Sequence, residues 1–170
     1  MYKNGDGKIS CDKEGNAMTT GSDTNCQRHY ASYIFADTLL WINKGWINYI
    51  LPQSYWSIDH PQARYFYVMD WWNSVLEYKK INSYSGIGLY MSDLTGKAVN
   101  DAYAWKTNDN ELYEHLVYSN NKKNIYGVSI YNFQTLRKLK DGEDTYSAVQ
   151  IKNGIKAWKM IVPPVEIKSF

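Results

Sequence analysis

The chain has 170 residues, the size of one domain on the usual scale of roughly 100–200 residues each. Hydrophobic residues make up 44% and charged residues 21%, which excludes a disordered tail, a collagen-like repeat or a low-complexity segment. The net charge of +2 is too balanced for a nucleic-acid binder, and no run of about 18 apolar residues is present to span a bilayer.

Residues 1–28 are polar and turn-rich, with Gly5, Gly7, Gly15 and Gly21, and read as a long loop. Residues 29–44 turn helical, with Tyr33, Ala36 and Leu40 on one face and Gly45 closing the helix. The apolar run 46–51 reads as a buried strand ended by Pro52. Pro61 opens a helix through about Lys79, with Tyr65, Val68, Met69, Trp72, Val75 and Leu76 along one stripe. Residues 87–91 form a second strand. Asn108, with Glu111 three residues on, has capping-box spacing for a helix whose apolar side is Leu112, Leu116 and Val117. Residues 125–131 form a third strand. A last helix runs from about 145 to 159 through Ala148, Ile151, Ile155 and Trp158, and Pro163-Pro164 stops it. Alternating strands and helices predict an α/β fold with parallel strands joined by right-handed crossovers.

The prominent number is aromatic: sixteen Tyr, seven Trp and four Phe. Tyr and Trp rings serve the core and also suit surfaces that meet flat, amphipathic ligands such as sugars. Pro52-Gln53-Ser54-Tyr55-Trp56 lies at the C-terminal end of a predicted parallel strand, where α/β folds bind ligands. Gln53 offers a donor and an acceptor to a hydroxyl; Tyr55 and Trp56 offer flat faces, or equally bury into helix packing. Trp71-Trp72 reads as core, with Trp72 in the stripe and Trp71 at its edge. His29, His60 and His115 share no motif and read as surface or cap residues.

Glycosidic chemistry needs two carboxylates across the scissile bond. Among strand ends, Asp93 is the best placed and Asp59 a poorer candidate, so the pair is incomplete. Asn4-Gly5-Asp6-Gly7-Lys8-Ile9-Ser10 has the turn of a calcium loop, but Tyr2 and Lys13 stand where the terminal carboxylates belong. It reads as a glycine-rich turn, and neither a metal nor another cofactor is expected. Gly86-Ile87-Gly88 precedes a strand instead of linking strand to helix, so it is no nucleotide fingerprint. Cys11 and Cys26 read either as free thiols or as a bridge closing a loop of about 15 residues, worth about 3 kcal/mol in the chain-entropy account.

The run Asp37-Thr38-Leu39-Leu40-Trp41, then Gly45 through Trp56, then Trp71-Trp72, resembles the later part of the glycosyl hydrolase-like 10 family. Those are bacterial (β/α)8-barrel proteins with members acting on cell-wall glycan. Leu89-Tyr90-Met91, Trp105, Gly127-Val128-Ser129 and Val162-Pro163-Pro164 continue the likeness in order. The resemblance implies a C-terminal barrel portion, about strands six to eight with their helices, spanning residues 1–170. It implies a polysaccharide substrate met by Gln53, Tyr55, Trp56 and Trp105, with Asp93 a catalytic candidate and the main carboxylate upstream of Met1. It implies an exported or envelope-attached parent protein. Ser92-Asp93-Leu94-Thr95-Gly96 departs from the family's Gly-and-Tyr pattern. The other reading is a non-catalytic sugar-binding or structural remnant. A part-barrel leaves two strand edges open to pairing, so light scattering on the isolated chain is expected to show self-association instead of a monodisperse monomer.

Overall fold

A computed structural model describes residues 6–24, 35–79, 81–140 and 145–161. Two short strands, β1 (Ser10–Cys11) and β2 (Ala17–Met18), pair antiparallel near the start. Then follow α1 (Thr38–Asn43), β3 (Tyr49–Ile50), α2 (Tyr65–Leu76), β4 (Asn82–Gly88), α3 (Ala104–Thr107), α4 (Glu111–Asn120), β5 (Ile125–Tyr131), α5 (Phe133–Lys140) and α6 (Tyr146–Ile161). Strands β3, β4 and β5 form one sheet in that order, and both pairings are parallel. The chain is therefore a mixed α/β structure with a parallel sheet and crossover helices. No helix among the described residues is long and apolar enough to cross a membrane.

Side chains alternate across a strand, and here the two faces have different fates. Ile50 and Ile81 join Val68, Trp72, Val75 and Leu76 of α2 in one cluster. Ile87 and Leu89 join Leu112 and Leu116 of α4, Ile151 and Ala157 of α6, and Trp105 in a second. Tyr49 and Leu51 point the other way and remain 60% and 45% exposed. Helices thus cover one face of the sheet; on the opposite face, among the described residues, Tyr49 and Leu51 are exposed and the chain leaving β3 lies over Gly86 and Gly88.

Several sequence expectations need correction. The second strand is β4, Asn82–Gly88, and residues Leu89–Asp93 form a 3-10 turn after it. The apolar window at 87–91 caught the strand's end and missed Ser83 and Ser85, which are fully buried. Strand β3 is short, and Trp46, expected inside it, is exposed. Leu40 is exposed and Ile42 is the buried residue of α1, whose N-cap is Asp37 accepting from the Leu40 amide at 2.9 Å. Helix α2 buries its whole expected stripe, and Trp71 as well, at 4% exposed. In α6, Ala148 and Ile151 are buried but Ile155 faces solvent, because Gly154 lies against Leu112 and brings α6 close to α4 there. Helix α5 went unanticipated. Residues 1–5, His29, Cys26, Tyr33, Pro163 and Pro164 lie outside the described residues, and so do the first position of the calcium-loop comparison, Tyr2, and the Cys11–Cys26 pairing that is one of the two alternatives.

A polar block crosses the core. The Tyr65 hydroxyl sits 2.7 Å from Ser85 Oγ and 2.5 Å from Ser119 Oγ, joining α2, β4 and α4. Burial pushes its pKa up to about 12. The His115 ring stacks on Tyr65 at 3.6 Å, and its Nε2 lies 3.1 Å from Glu111 Oε1, off the line a ring N–H bond needs. Burial holds the His115 pKa below its ordinary value despite the nearby Glu111 and Glu114. Trp72→Ala is expected to destabilise by about 3–5 kcal/mol, the usual cost of truncating a buried aromatic, in thermal or denaturant melts. Because folded His115 stays neutral where the unfolded imidazole takes a proton, stability falls as pH drops below about 6.5, by up to about 1.4 kcal/mol per pH unit for that proton. Melts across that range should show a shallower slope for His115→Gln.

Candidate functional site at the carboxyl end of the sheet

The chain leaving β3 is drawn onto β4. The Gly86 amide donates to Pro52 O at 2.9 Å, and the Ser54 amide donates to Gly86 O at 3.0 Å. Gln53, between them, pairs with Gly86 in an isolated parallel bridge and is itself exposed. A Cβ on Gly86 would stand 2.7 Å from Pro52 O, so the approach needs glycine for room.

Three tyrosines from three consecutive strand ends then meet. Tyr55 follows β3, Tyr90 follows β4 in the 3-10 turn, and Tyr131 ends β5. Tyr55 and Tyr131 stack at 5.8 Å between centroids. Tyr90 stands edge-on to both, at 5.9 and 5.8 Å. Tyr131 is 53% exposed; Tyr55 and Tyr90 are half-buried. Burial raises the Tyr90 pKa, and the neighbouring Tyr55 and Tyr131 hydroxyls add to the rise, so all its chemistry near neutral pH is that of a neutral phenol.

Trp56, half-buried, packs against the α1–α2 cluster and meets His60 edge-on at 6.3 Å. His60 in turn meets Tyr103 at 5.1 Å. The His60 Nδ1 accepts from the Ala63 and Gln62 amides at 2.9 and 3.2 Å, so this ring caps the approach to α2. Burial lowers its pKa, against the pull of Asp59 and Asp101. Tyr103 stands at φ 45°, a left-handed backbone angle for a ringed residue, directly before α3.

Of the remaining expected site residues, Trp105 is buried, Asp93 half-buried and Asp59 exposed. Trp105 has no exposed area; its indole N–H donates to Tyr55 O at 3.0 Å. Asp93 Oδ1 accepts the Ser147 amide at 3.0 Å, at the N-terminal end of α6. Asp59 Oδ1 accepts from Ser57 Oγ at 2.6 Å and from the Ala104 amide at 2.9 Å, where it starts α3. Both carboxylates thus satisfy helix-start amides, a use that strand-end position alone does not reveal. The structure therefore groups Tyr55 with Tyr90 and Tyr131, turns the neighbouring Trp56 toward His60 and the α1–α2 cluster, and leaves Gln53 exposed beside β4. The signal for Tyr90 and Tyr131 was their place at the ends of strands, blurred for Tyr90 by the misplaced second strand.

A cavity of about 310 Å3 opens elsewhere, between the glycine-rich turn and α2, lined by Asp6, Lys8, Asp23, Tyr67, Asp70 and Trp71. Asp70 pairs there with Lys122 Nζ at 2.5 Å, and Asp6 accepts from the Lys8 amide at 3.0 Å. Among the described residues no group of His, Cys, Asp and Glu is arranged to hold a metal ion.

The chain is similar to the protein named Glycosyl hydrolase YngK of Bacillus subtilis (strain 168), 38% identical over 71 residues, covering 42% of this chain and 14% of that protein. It is also similar to Glycosyl hydrolase DigH of Escherichia coli (strain K12), 37% identical over 70 residues, covering 41% of this chain and 16% of that protein. The Shigella flexneri protein of the same name gives the same figures. The match spans about one sixth or less of the length of these curated relatives. No family model matches the chain, so the likeness to the glycosyl hydrolase-like 10 family rests on the residues quoted for it. Replacing Asp93 by Asn keeps an acceptor for the Ser147 amide but removes its charge, and melts should show a loss of about 1 kcal/mol or less, whereas Asp93→Ala removes the cap and should cost about 0.5–2 kcal/mol.

Proposed function

We propose that the chain is part of a glycoside hydrolase barrel and that it binds a polysaccharide at the carboxyl ends of its parallel strands. The observation that carries this reading is the group of Tyr55, Tyr90 and Tyr131, one ring from each consecutive strand end, beside the exposed Gln53. Flat phenol rings with hydroxyl tips suit the apolar faces and hydroxyl edges of sugar rings. The likeness to proteins named glycosyl hydrolases supports the same substrate class.

A barrel accounts for the open sheet face. All-parallel sheets ordinarily have both faces covered, yet Tyr49 and Leu51 are exposed here. Closing the sheet with further strands covers them and puts the tyrosines at the barrel mouth, the face on which such folds carry their sites. The substrate on this reading is a bacterial cell-wall or related glycan, and the parent protein is exported or held at the envelope. The role of this part is to hold sugar, since Asp59 and Asp93 both serve backbone amides. That engagement also supports the second reading, a carbohydrate-binding element without a catalytic pair of its own.

Tyr131→Ala is the direct test, because the residue is largely exposed and its loss should change stability by less than about 1 kcal/mol. Calorimetric titration with a soluble β-1,4-linked N-acetylglucosamine hexamer should show binding weakened by about 1–1.5 kcal/mol, the scale of one aromatic contact. Trp56→Ala should weaken binding too, but with a measurable fall in melting temperature, since that ring also packs on the core. Unchanged affinity in both variants would remove the strand-end surface from sugar binding.

A further inference from the structure

Gly86 and Gly88 flank Ile87 and therefore lie together on the open face of β4. Gly88 has φ −93° and ψ 69°, angles that do not require glycine. What it needs is space. A Cβ there would stand 2.7 Å from Cγ and 2.8 Å from Cβ of Tyr55, closer than carbon atoms approach. The Tyr55 side chain occupies the place a residue-88 side chain would take. Gly88 is also the register partner of Tyr131, so the same empty position lies beside the ring on which Tyr55 stacks.

The backbone of Tyr55 is held from the other side. Trp105 donates its indole N–H to Tyr55 O at 3.0 Å from a fully buried position. The Trp105 ring is itself fixed edge-on against His115 at 4.8 Å. Tyr55 is thus seated on a glycine and tied at its carbonyl to the core.

We infer that Gly88 and Trp105 are positioning residues: together they set the plane of the Tyr55 ring and so the spacing of the three tyrosines. Trp105 serves the site without touching a ligand. The carbohydrate role of that surface rests on the reading above; the positioning of Tyr55 is measurable without any sugar.

The test uses the 170-residue chain carrying 3-fluorotyrosine at position 55. Its fluorine resonance should move in Gly88→Ala and in Trp105→Phe, which keeps a ring but loses the N–H, and should stay put in Ile155→Ala on the exposed side of α6. A stability cycle separates positioning from a plain structural need. Gly88→Ala should lower the melting temperature in the parent chain, and most of that loss should vanish in a Tyr55→Gly background, where both clashing carbons, Cβ and Cγ, are gone. Where Gly88→Ala alone does not fold, recovery of folding in the Tyr55→Gly background supports the inference and continued failure overturns it. A resonance unmoved in both variants, or equal melting losses in both backgrounds, also overturns it. Titration with the N-acetylglucosamine hexamer should show roughly tenfold weaker binding for Gly88→Ala and Trp105→Phe, the factor of one aromatic contact. A resonance that moves in a chain that never binds the hexamer upholds the positioning and removes the carbohydrate reading.

Discussion

The chain leaving β3 has to lie within hydrogen-bonding distance of β4, and the arrangement of the strand ends follows from that approach. Two bonds to Gly86, from its amide to Pro52 O and from the Ser54 amide to its carbonyl, continue the parallel ladder beyond the two residues of β3. They turn Gln53 outward and carry Tyr55 over Gly88. A side chain at either glycine would collide with this segment. The sheet therefore gives up two side chains' worth of packing on β4, and the returning loop fills the space with its own backbone and a tyrosine ring.

The helices that cover the sheet were the easiest features to read in the sequence, because a buried stripe has a period. Helix α2 carries seven buried side chains at near-helical spacing, with Trp71 at the edge of the stripe as expected. Strand β5 was equally plain, as an apolar run with β-branched residues. Strand β4 was not. Its first half, Asn82-Ser83-Tyr84-Ser85, has no apolar run, and Ser85 is buried because the Tyr65 hydroxyl meets it. A polar pair made between distant segments leaves no local signature. The same reason hid the placement of Trp105 and Asp93. Each faces a backbone group fifty or more positions away, Tyr55 O and the Ser147 amide, and sequence spacing carries no information on such partners.

Carboxylates and aromatic rings divide the labour at this edge. Asp59 and Asp93 start α3 and α6, so their charge is turned toward helix amides. That placement suits the positive end of a helix. The rings, by contrast, gather on one another at the strand ends, where Tyr131 keeps 53% of its area exposed. Gln53 supplies amide polarity there without the solvation cost of a charge. On the proposed reading, that surface meets a hydroxylated, flat-faced ligand through shape and hydrogen bonding.

The loop between β3 and α2 is anchored to the interior at a point away from the rings. The Ile58 amide donates at 2.7 Å to Glu111 Oε1, and Glu111 is fully buried beneath the stacked Tyr65 and His115 rings. In hydrogen-exchange terms, that amide belongs to the core although it sits in a connecting segment. Its solvent exposure requires α4 to part from the loop, so it exchanges with the cooperative opening of α2 and α4 and not with the local fraying usual for loops. The loop that carries Tyr55 is therefore tied to the packed interior at two points, Ile58 and Tyr55 itself.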